Sequence, residues 1–203
     1  MTITLYGSKN TRAFRCFWML EELQIDYRIK EVNVHKGEGR APDYLSIIPT
    51  GKVPALQDED FILFESAAIN TYLADKFPEK NLIPKTNTRE RGLYDQWCYY
   101  VMSELEQPLW LNAKHTFIYP EKRRIAANIE SAKFEFKHAL KVIEGHLDTH
   151  DYMVGGEFSG ADILVAQTFM WAQMVRFPLD SPAALEFIVR MKERDGYQRA
   201  MAL

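Results

Sequence analysis

Two short segments of the chain carry groups that could bind a small peptide-like ligand. They are residues 53–56 (VPAL) and residues 65–69 (ESAAI). Proline has no backbone N–H, so a strand that begins at Val53 is interrupted where it starts. A cis bond before Pro54 would leave the N–H and C=O of Val53 facing a ligand, whereas the commoner trans bond predicts only a proline that opens a strand.

Ser66 stands where a predicted strand meets a predicted helix. Residues 61–64 (FILF) indicate a buried strand, and the apolar residues that follow recur at helical spacing. A hydroxyl and the free N–H groups of a helix start together favour an anion such as a carboxylate. A plain N-cap serine explains the same pattern, so both readings of this segment stay open.

The elements around these two segments are expected in the order βαβ and then ββα. Residues 3–6 alternate as a strand, residues 7–10 (GSKN) indicate a turn, and apolar residues from Thr11 onward mark one helical face. Residues 26–34 alternate as a second strand. Residues 42–48 are expected to form a short helical stretch that leads towards the strand at residue 53.

The second half of the chain is predicted to be helical. Two long helices, from about Asn87 and over residues 125–147, carry apolar residues every three or four positions. Pro108 is expected to bend or end the first of them, because it lacks an N–H and crowds the preceding turn. At the start of a later helix, Ser159 and Asp162 form a predicted capping box. A catalytic role for the Asp162 carboxylate is the alternative.

Two prolines bracket polar residues between helical patterns in residues 77–85, which indicates a domain boundary. We therefore predict a first domain over residues 1–78, a linker over residues 79–86 and a helical domain over residues 87–203.

Composition indicates a soluble protein that does not bind nucleic acid. The chain has 203 residues and a net charge of -3, and its 25 basic and 28 acidic residues are spread without a basic stripe. No charged and then apolar leader opens it, and polar residues interrupt its most apolar helix, residues 161–177. We expect a cytoplasmic protein that does not span a membrane.

The two cysteines, Cys16 and Cys98, lie far apart on predicted helices, so neither a disulfide framework nor a metal site is expected. Both are predicted to be core residues. The turn over residues 7–12 contains no cysteine, although thiol-disulfide oxidoreductases place their nucleophile at such a helix start. Redox chemistry with the protein's own thiol is therefore disfavoured.

The order of the elements, the loop before residues 53–54 and the Glu-Ser pair resemble the thioredoxin-like domain of the glutathione S-transferases. The resemblance covers essentially the whole chain, through residues 15–23 (RCFWMLEEL), residues 48–56 (IPTGKVPAL) and the helical second half. It implies an α/β domain of βαβ-ββα order followed by an all-helical domain. The match is closest to bacterial-like members of the serine/threonine-type branch.

The resemblance also assigns residues to glutathione, the co-substrate of that family. In the family the proline is cis, the residue before it pairs with the cysteinyl backbone of glutathione, and the Glu-Ser pair holds the γ-glutamyl end. Carried over, these roles fall on Val53, Pro54, Glu65 and Ser66.

Catalysis in such an enzyme requires the thiolate of glutathione. Lowering a thiol pKa of about 8.5 by roughly two units requires about 2.7 kcal/mol of preferential thiolate stabilisation, which one hydroxyl donor and helix N–H groups could supply. In the serine-type branch the donor at the start of the helix aligns with Thr11, which could equally be a plain N-cap. Tyr6 is the donor of the tyrosine-type branch, and Ser8 and Asn10 stand in the same turn.

Charged and aromatic residues complete the expected site. Lys52, and more weakly Arg40, could meet the glycyl carboxylate of glutathione, although such side chains are usually only solvated. A hydrophobic electrophile is expected between the turn and the first helix of the second half, at a group of apolar residues of which at least half must face the core. That group is Trp97, Tyr99, Tyr100, Met102 and Trp110.

We therefore predict a glutathione transferase that conjugates glutathione to a hydrophobic electrophile in detoxification. The resemblance also implies a symmetric homodimer. Three alternatives stay open: a glutathione-dependent disulfide reductase or peroxidase on the same fold, a non-catalytic member that binds partners, and a carrier of hydrophobic ligands.

Overall fold

The computed structural model describes residues 3–203 and divides the chain into two compact units. The first unit runs to Ile83 and also includes Lys192–Leu203, and the second comprises Pro84–Met191. The helices within residues 3–203 include none that is both long and apolar enough to cross a lipid bilayer.

A four-stranded sheet forms the centre of the first unit. Its strands are β1 (Ile3–Tyr6), β2 (Tyr27–Lys30), β3 (Ala55–Asp58) and β4 (Phe61–Phe64), in the spatial order β2-β1-β3-β4. β2 is parallel to β1, while β3 is antiparallel to both β1 and β4. Together with the helices between them, these strands give the predicted βαβ-ββα order.

Three helices accompany the sheet: α1 (Phe14–Leu23), α2 (Pro42–Ile47) and α3 (Ser66–Lys76). The residue that caps the end of α1, Gln24, has a left-handed backbone (φ 54°) and donates its N–H to the carbonyl of Leu20. A residue other than glycine therefore ends this helix in the conformation that a glycine would usually take.

The second strand is shorter than the predicted span of residues 26–34. It pairs with β1 from Tyr27 to Lys30, and β1 itself ends opposite Lys30. Beyond the strand, the side chain of Asn33 accepts the N–H groups of His35 and Lys36, both at 3.1 Å, and so starts a 3-10 turn. The alternation of residue types continues beyond Lys30, but β1 has no further residue there with which the strand could pair.

The prediction that residues 61–64 form a buried strand was wrong about burial. The strand is present, but Phe61 and Phe64 are 45% and 42% exposed. β4 lies at the edge of the sheet, beside β3 alone. A short apolar run fits an edge strand as well as a central one, so the sequence did not distinguish them.

The last helix of the chain, α9 (Asp195–Ala202), packs on α1 within the first unit. The ring of Tyr197 meets the rings of Phe14 and Trp18 edge-on, with centroids 5.6 and 5.0 Å apart. The sequence analysis assigned residues 87–203 to one helical domain. In the structure, Lys192–Leu203 instead belongs to the first unit.

Ion pairs reinforce the contact between α1 and α9. Arg194 binds both carboxylate oxygens of Glu22, at 2.8 and 2.9 Å, and Arg199 binds the carboxylate of Glu21 at 3.1 Å. The Glu22 side chain is 9% exposed, so its bidentate pair is shielded from water and better defined than an ordinary surface ion pair.

The second unit is built from helices. They are α4 (Arg89–Tyr100), α5 (Glu106–Ala113), α6 (Ala126–Leu147), α7 (Gly160–Met174) and α8 (Pro182–Lys192). Every residue from Gly160 to Ala166 is buried, which places α7 at the centre of this unit. α6 buries one stripe of residues, as its three-to-four periodicity predicts.

Pro108 does not end the helix that contains it. It is the third residue of α5, and the preceding residues Val101–Leu105 form a π-helical turn that joins α4 to α5. The wider turn interrupts the α-helical hydrogen bonds just upstream of the proline, whose missing N–H falls in the first turn of α5. The predicted end at Pro108 is therefore corrected to a local widening upstream of it.

The predicted capping box at the start of α7 is present. Ser159 and the third residue of the helix, Asp162, exchange hydrogen bonds between side chain and backbone. Asp162 is fully buried and also accepts the N–H of Met153 at 2.8 Å. Burial raises the pKa of Asp162 to about 6, against the opposing effect of these donors. The carboxylate therefore serves both the helix and the preceding loop.

We expect Ser159→Ala to lower the free energy of unfolding by about 0.5–2 kcal/mol, because one helix cap is lost. Asp162→Ala should lower it by more, about 3 kcal/mol or above, because several buried donors lose their acceptor. Urea denaturation measures both changes. Ser181→Ala, which removes a cap from Ala184 at the start of α8 without removing a carboxylate, is the matched control.

Turnover per folded molecule should stay near normal in these variants. Normal stability combined with lost turnover in Asp162→Ala would instead identify a catalytic carboxylate.

Candidate functional site

A cleft lies at one end of the sheet in the first unit. It encloses about 380 Å³, including the solvent at its mouth. Its lining residues are Arg12, Thr50, Lys52, Val53, Pro54, Phe64, Glu65 and Ser66. The two segments singled out in the sequence therefore line the same cleft.

The sheet register brings these segments together. Ala55, the first residue of β3, is paired with Tyr6, the last of β1, and with Phe64, the last of β4. The chain leaving β1, the chain entering β3 and the chain leaving β4 therefore meet at the same edge. Those stretches contain Arg12, residues 50–54 and residues 65–66.

The bond between Val53 and Pro54 is cis. Val53 is buried, and within residues 3–203 its N–H and C=O make no hydrogen bond. The carbonyl of the preceding residue, Lys52, accepts the hydroxyl of Tyr44 at 2.6 Å, so the backbone beside Val53 is fixed by an internal contact. Both backbone groups of Val53 are thus left for a ligand at the edge of the cleft.

Two glycines, Gly39 and Gly51, allow the loop before Lys52 to pack closely against the loop around Gly39. A β-carbon added to Gly51 would lie 2.4 Å from the carbonyl oxygen of Gly39, and one added to Gly39 would lie 2.4 Å from the carbonyl oxygen of Gly51. Gly51 also has a left-handed backbone with φ +62°. The two loops can approach this closely because neither glycine has a side chain.

Ser66 is the first residue of α3 and is only 3% exposed. The residue before it, Glu65, has a positive φ of 74° and makes no side-chain cap to the helix. Such a backbone is unfavourable for a residue with a side chain and is common at ligand sites. It leaves the first N–H groups of α3 beside the cleft without a cap from Glu65.

Two side chains of α1 donate hydrogen bonds to Ser66. Arg15 donates through Nη1 to the Ser66 hydroxyl at 3.3 Å, and the thiol of Cys16 donates to the Ser66 carbonyl at 3.8 Å. Both residues of α1 are fully buried. Ser66 is therefore held by core contacts while it lines the cleft.

Thr11 lies in the turn before α1 and already has hydrogen-bond partners. Its hydroxyl donates to the carbonyl of Ser8 at 2.7 Å and accepts the N–H of Ala13 at 3.1 Å. Thr11 is not the N-cap that the sequence offered as the alternative, because Ala13 precedes α1 directly and no side chain caps it. The bond from Ala13 is a local turn contact, and it is compatible with a thiolate contact because the oxygen can accept from Ala13 while its proton turns elsewhere.

Tyr6 lies in a buried cluster with Tyr44, Ile48, Val53 and other apolar residues. Its hydroxyl donates to Oε1 of Gln57 at 2.7 Å. The proton of this alternative thiolate donor is therefore also used within the chain. Neither Tyr6 nor Thr11 is among the residues that line the cleft, although Arg12, next to Thr11, is.

The positively charged residues are placed differently. Lys52 is exposed and lines the cleft, whereas Arg40 is exposed beside Gly51, outside the lining set. Arg12, which the sequence reasoning missed, contributes a second cation to the lining. Its position directly after Thr11 was the available signal.

Sequence reasoning also missed Thr50 and Phe64. Phe64 borders the cleft because the register places it beside Ala55, next to Pro54. Both residues also had a local signal, because Phe64 directly precedes Glu65 and Thr50 lies two positions before Lys52.

Some of the apolar residues expected near an electrophile are buried within the second unit, and others are exposed. Trp97 is buried and meets Tyr100 edge-on, with ring centroids 5.9 Å apart. The Tyr100 hydroxyl donates to the carbonyl of Ala139, while Tyr99 is 75% exposed. Part of this group therefore packs inside the unit.

Comparison with known proteins agrees with this geometry. Residues 1–75 match the model of the glutathione S-transferase N-terminal domain, and residues 107–195 match that of the C-terminal domain. Glutathione S-transferase F10 of Arabidopsis thaliana is 31% identical over 170 residues, covering 80% of this chain and 77% of the relative. The chain belongs to the glutathione S-transferase family. Another relative, the disulfide-bond oxidoreductase YfcG of Escherichia coli, is 32% identical over 168 residues, covering 79% of this chain and 76% of its own.

Solved structures of this glutathione S-transferase family share the fold. A glutathione transferase from Methylococcus capsulatus superposes with a TM-score of 0.89 at 26% identity, covering 98% of this chain and 97% of the other. A theta class enzyme from Xanthomonas axonopodis, with glutathione bound, gives 0.84 at 29% identity, covering 99% and 97%.

Both cysteines of this glutathione S-transferase are free and buried, as the sequence predicted. Burial raises the pKa of the Cys16 thiol far above its usual range, although the charge of Arg15 opposes the shift. Burial likewise raises the pKa of Cys98 to about 12. A thiol with so little thiolate at neutral pH is a poor nucleophile.

We expect neither cysteine to react with Ellman's reagent in the native protein near pH 7, because both thiols are buried and protonated. Both should react once the chain is unfolded in guanidinium, which serves as the control for thiol content. Prior treatment with N-ethylmaleimide should leave catalytic activity unchanged. Rapid labelling of one native thiol together with loss of activity would contradict this expectation and indicate a protein thiol in the reaction.

Proposed function

We propose that this chain is a glutathione transferase that binds glutathione in the cleft, holds it as a thiolate and transfers it to a hydrophobic electrophile. The observation that carries the proposal is the meeting of three ligand-binding features at one edge of the sheet. They are the open backbone of Val53, the cation of Lys52 and the start of α3 at Ser66. Family membership supplies glutathione as the co-substrate.

The backbone of Val53 suits the cysteinyl part of glutathione. Its N–H and C=O can pair with a peptide as one strand pairs with another. Pro54, next to it, has no N–H and therefore does not compete for the ligand. Pairing of this kind would orient the cysteinyl side chain without contacting the sulfur.

The charged ends of glutathione fit the remaining lining residues. Glu65 and Ser66 meet the γ-glutamyl end, where the carboxylate of Glu65 attracts the ammonium group, and the hydroxyl and N–H groups at Ser66 attract the carboxylate. Lys52 meets the glycyl carboxylate. Arg40, exposed on the neighbouring loop, contributes at longer range.

Thr11 is the proposed donor to the thiolate. To reach the sulfur, its proton must leave the carbonyl of Ser8, which it contacts at 2.7 Å, while the bond from the Ala13 N–H is kept. The internal bond lost is offset by a charge-assisted bond to sulfur. Tyr6 would have to give up its bond to Gln57 in the core, which makes it the less favourable donor.

Disulfide reduction by bound glutathione is the second candidate function. It is favoured by similarity to the disulfide-bond oxidoreductase of Escherichia coli. Comparing conjugation of chloro-dinitrobenzene with reduction of a glutathione-mixed disulfide separates the two candidates. Isothermal titration with glutathione tests both at once, because a chain that does not bind glutathione performs neither reaction.

Thr11→Ala should raise the pKa of enzyme-bound glutathione by about one to two units and slow conjugation near pH 7, because the thiolate loses a donor. Binding should weaken little, since Val53, Glu65 and Ser66 contact other parts of the ligand. Thr11→Ser should keep most activity. The measurement is thiolate absorbance of the complex against pH.

Tyr6→Phe is the matched control for that titration. A shifted pKa in Tyr6→Phe with an unchanged pKa in Thr11→Ala would transfer the role to Tyr6. Unchanged values in both would assign it to Ser8, Asn10 or backbone N–H groups.

The same proposal includes a symmetric homodimer, the arrangement implied by the family. Sedimentation equilibrium should give about twice the 23.7 kDa mass of the chain. A single species at the mass of one chain across the micromolar range would remove this part of the proposal. A cytoplasmic location stays a prediction from the sequence.

A further inference from the structure

We propose that Arg15 is a positioning residue for the γ-glutamyl carboxylate of glutathione and that it acts through the hydroxyl of Ser66. The inference rests on the proposed glutathione site and adds a residue that does not line the cleft. Arg15 is the second residue of α1 and is fully buried.

The first step of the argument is the direction of one hydrogen bond. A guanidinium group has five donors and no acceptor, so in the contact between Arg15 Nη1 and Ser66 Oγ the serine oxygen must accept. The hydroxyl has a single proton, which therefore points away from Arg15. Ser66 is 3% exposed and lines the cleft, so this proton is available to a ligand that accepts hydrogen bonds.

The second step is the fixed position of both residues. Besides the guanidinium contact, two further buried hydrogen bonds join α1 to α3. The thiol of Cys16 donates to the Ser66 carbonyl at 3.8 Å, and the side-chain amide of Asn70 donates to the Arg15 carbonyl at 3.3 Å. The two helices are thus tied on both sides of the contact, and Ser66 has little freedom to turn its hydroxyl elsewhere.

The third step is electrostatic. Arg15 is fully buried, and arginine keeps its positive charge in such surroundings. A charge is felt more strongly through the protein interior than through water. An anion that accepts the Ser66 hydroxyl would be separated from the Arg15 guanidinium only by that hydroxyl group. It would also lie at the N-terminus of the 11-residue helix α3, which the Glu65 side chain does not cap. Both effects favour a carboxylate over a neutral group.

Arg12 offers a rival explanation, because it lines the cleft and could hold the carboxylate directly. The two explanations differ in what Ser66 does. If Arg12 alone holds the anion, removing Arg15 should leave carboxylate recognition intact. If Arg15 acts through Ser66, losing either residue should remove the same recognition.

The test compares two ligands by isothermal titration in the full-length protein. One is glutathione, and the other is 4-aminobutyryl-Cys-Gly, which lacks only the α-carboxylate of the γ-glutamyl residue. In the unmodified protein, the analogue should bind about 10- to 100-fold more weakly, as expected for lost hydrogen bonds to a charged group. In Arg15→Met this ratio should fall to about threefold or less, because glutathione loses affinity while the analogue does not.

The ratio distinguishes positioning from mere structural support. A loosened α1 would weaken both ligands alike and leave the ratio unchanged. Arg28→Met removes the same charge from an exposed position on β2 and should also leave it unchanged. An unchanged ratio in Arg15→Met would overturn the inference.

Two further variants keep the inference testable if Arg15→Met does not fold. Arg15→Lys keeps the charge but loses the planar group, and its ratio should lie between those of the unmodified protein and Ser66→Ala. The double variant Arg15→Lys with Ser66→Ala should show the same ratio as Ser66→Ala alone, because Arg15 acts through that hydroxyl. Additive losses would overturn the inference.

The controls also separate this inference from the proposed function. If the unmodified protein does not bind glutathione, the proposed function fails. If it binds both ligands equally well, glutathione binding stands and the role of Arg15 falls.

Discussion

The site depends above all on the pairing of β3 with its two neighbours. Ala55 is opposite Tyr6 on one side and Phe64 on the other, and both pairings are antiparallel. Three chain segments that are distant in sequence consequently reach the same edge of the sheet. A slip of one residue in either ladder would reverse which face each side chain occupies and would move the buried residues Leu5 and Leu56 away from the core. The burial of apolar residues in the first unit and the geometry of the cleft are therefore fixed by the same register.

Several polar groups of this site are already hydrogen-bonded inside the chain. Thr11 uses its proton on Ser8, Tyr6 uses its proton on Gln57, and the Ser66 oxygen receives a donor from Arg15. The bond from Arg15 orients the Ser66 hydroxyl and would lower the entropy lost on ligand binding, whereas the bonds of Thr11 and Tyr6 would have to be broken first. The hydroxyls of Thr11 and Tyr6 also differ in how easily each could break its internal hydrogen bond and turn towards a ligand. A turn hydroxyl can rotate, whereas a tyrosine in a packed cluster moves only if its neighbours move.

The sequence predicted most of this fold because helices reveal their buried faces locally. The starts of α2 and α3 and the extent of α6 follow from periodicity and from their first residues, within one or two positions. Strand pairing is not local, so the sequence placed the end of the second strand too far along and gave β4 a burial that an edge strand lacks. The return of α9 to α1 also had no local signal, since Tyr197 and Arg194 meet residues about 180 positions earlier. A motif indicated Val53, Pro54, Glu65 and Ser66, which line one cleft, whereas the register of β3 explains why these distant segments lie together.

The contact between α9 and α1 has a consequence for how the chain folds as it is synthesised. Phe14 and Trp18, at the start of the chain, are covered by Tyr197, and Glu22 receives its bidentate partner from Arg194. The part of α1 formed by Phe14 and Trp18 therefore stays uncovered by Tyr197 until residues 192–203 have been synthesised. Residues 3–83 contain the four described strands of the sheet, but without residues 192–203 they lack the partners of Phe14, Trp18 and Glu22 on α1.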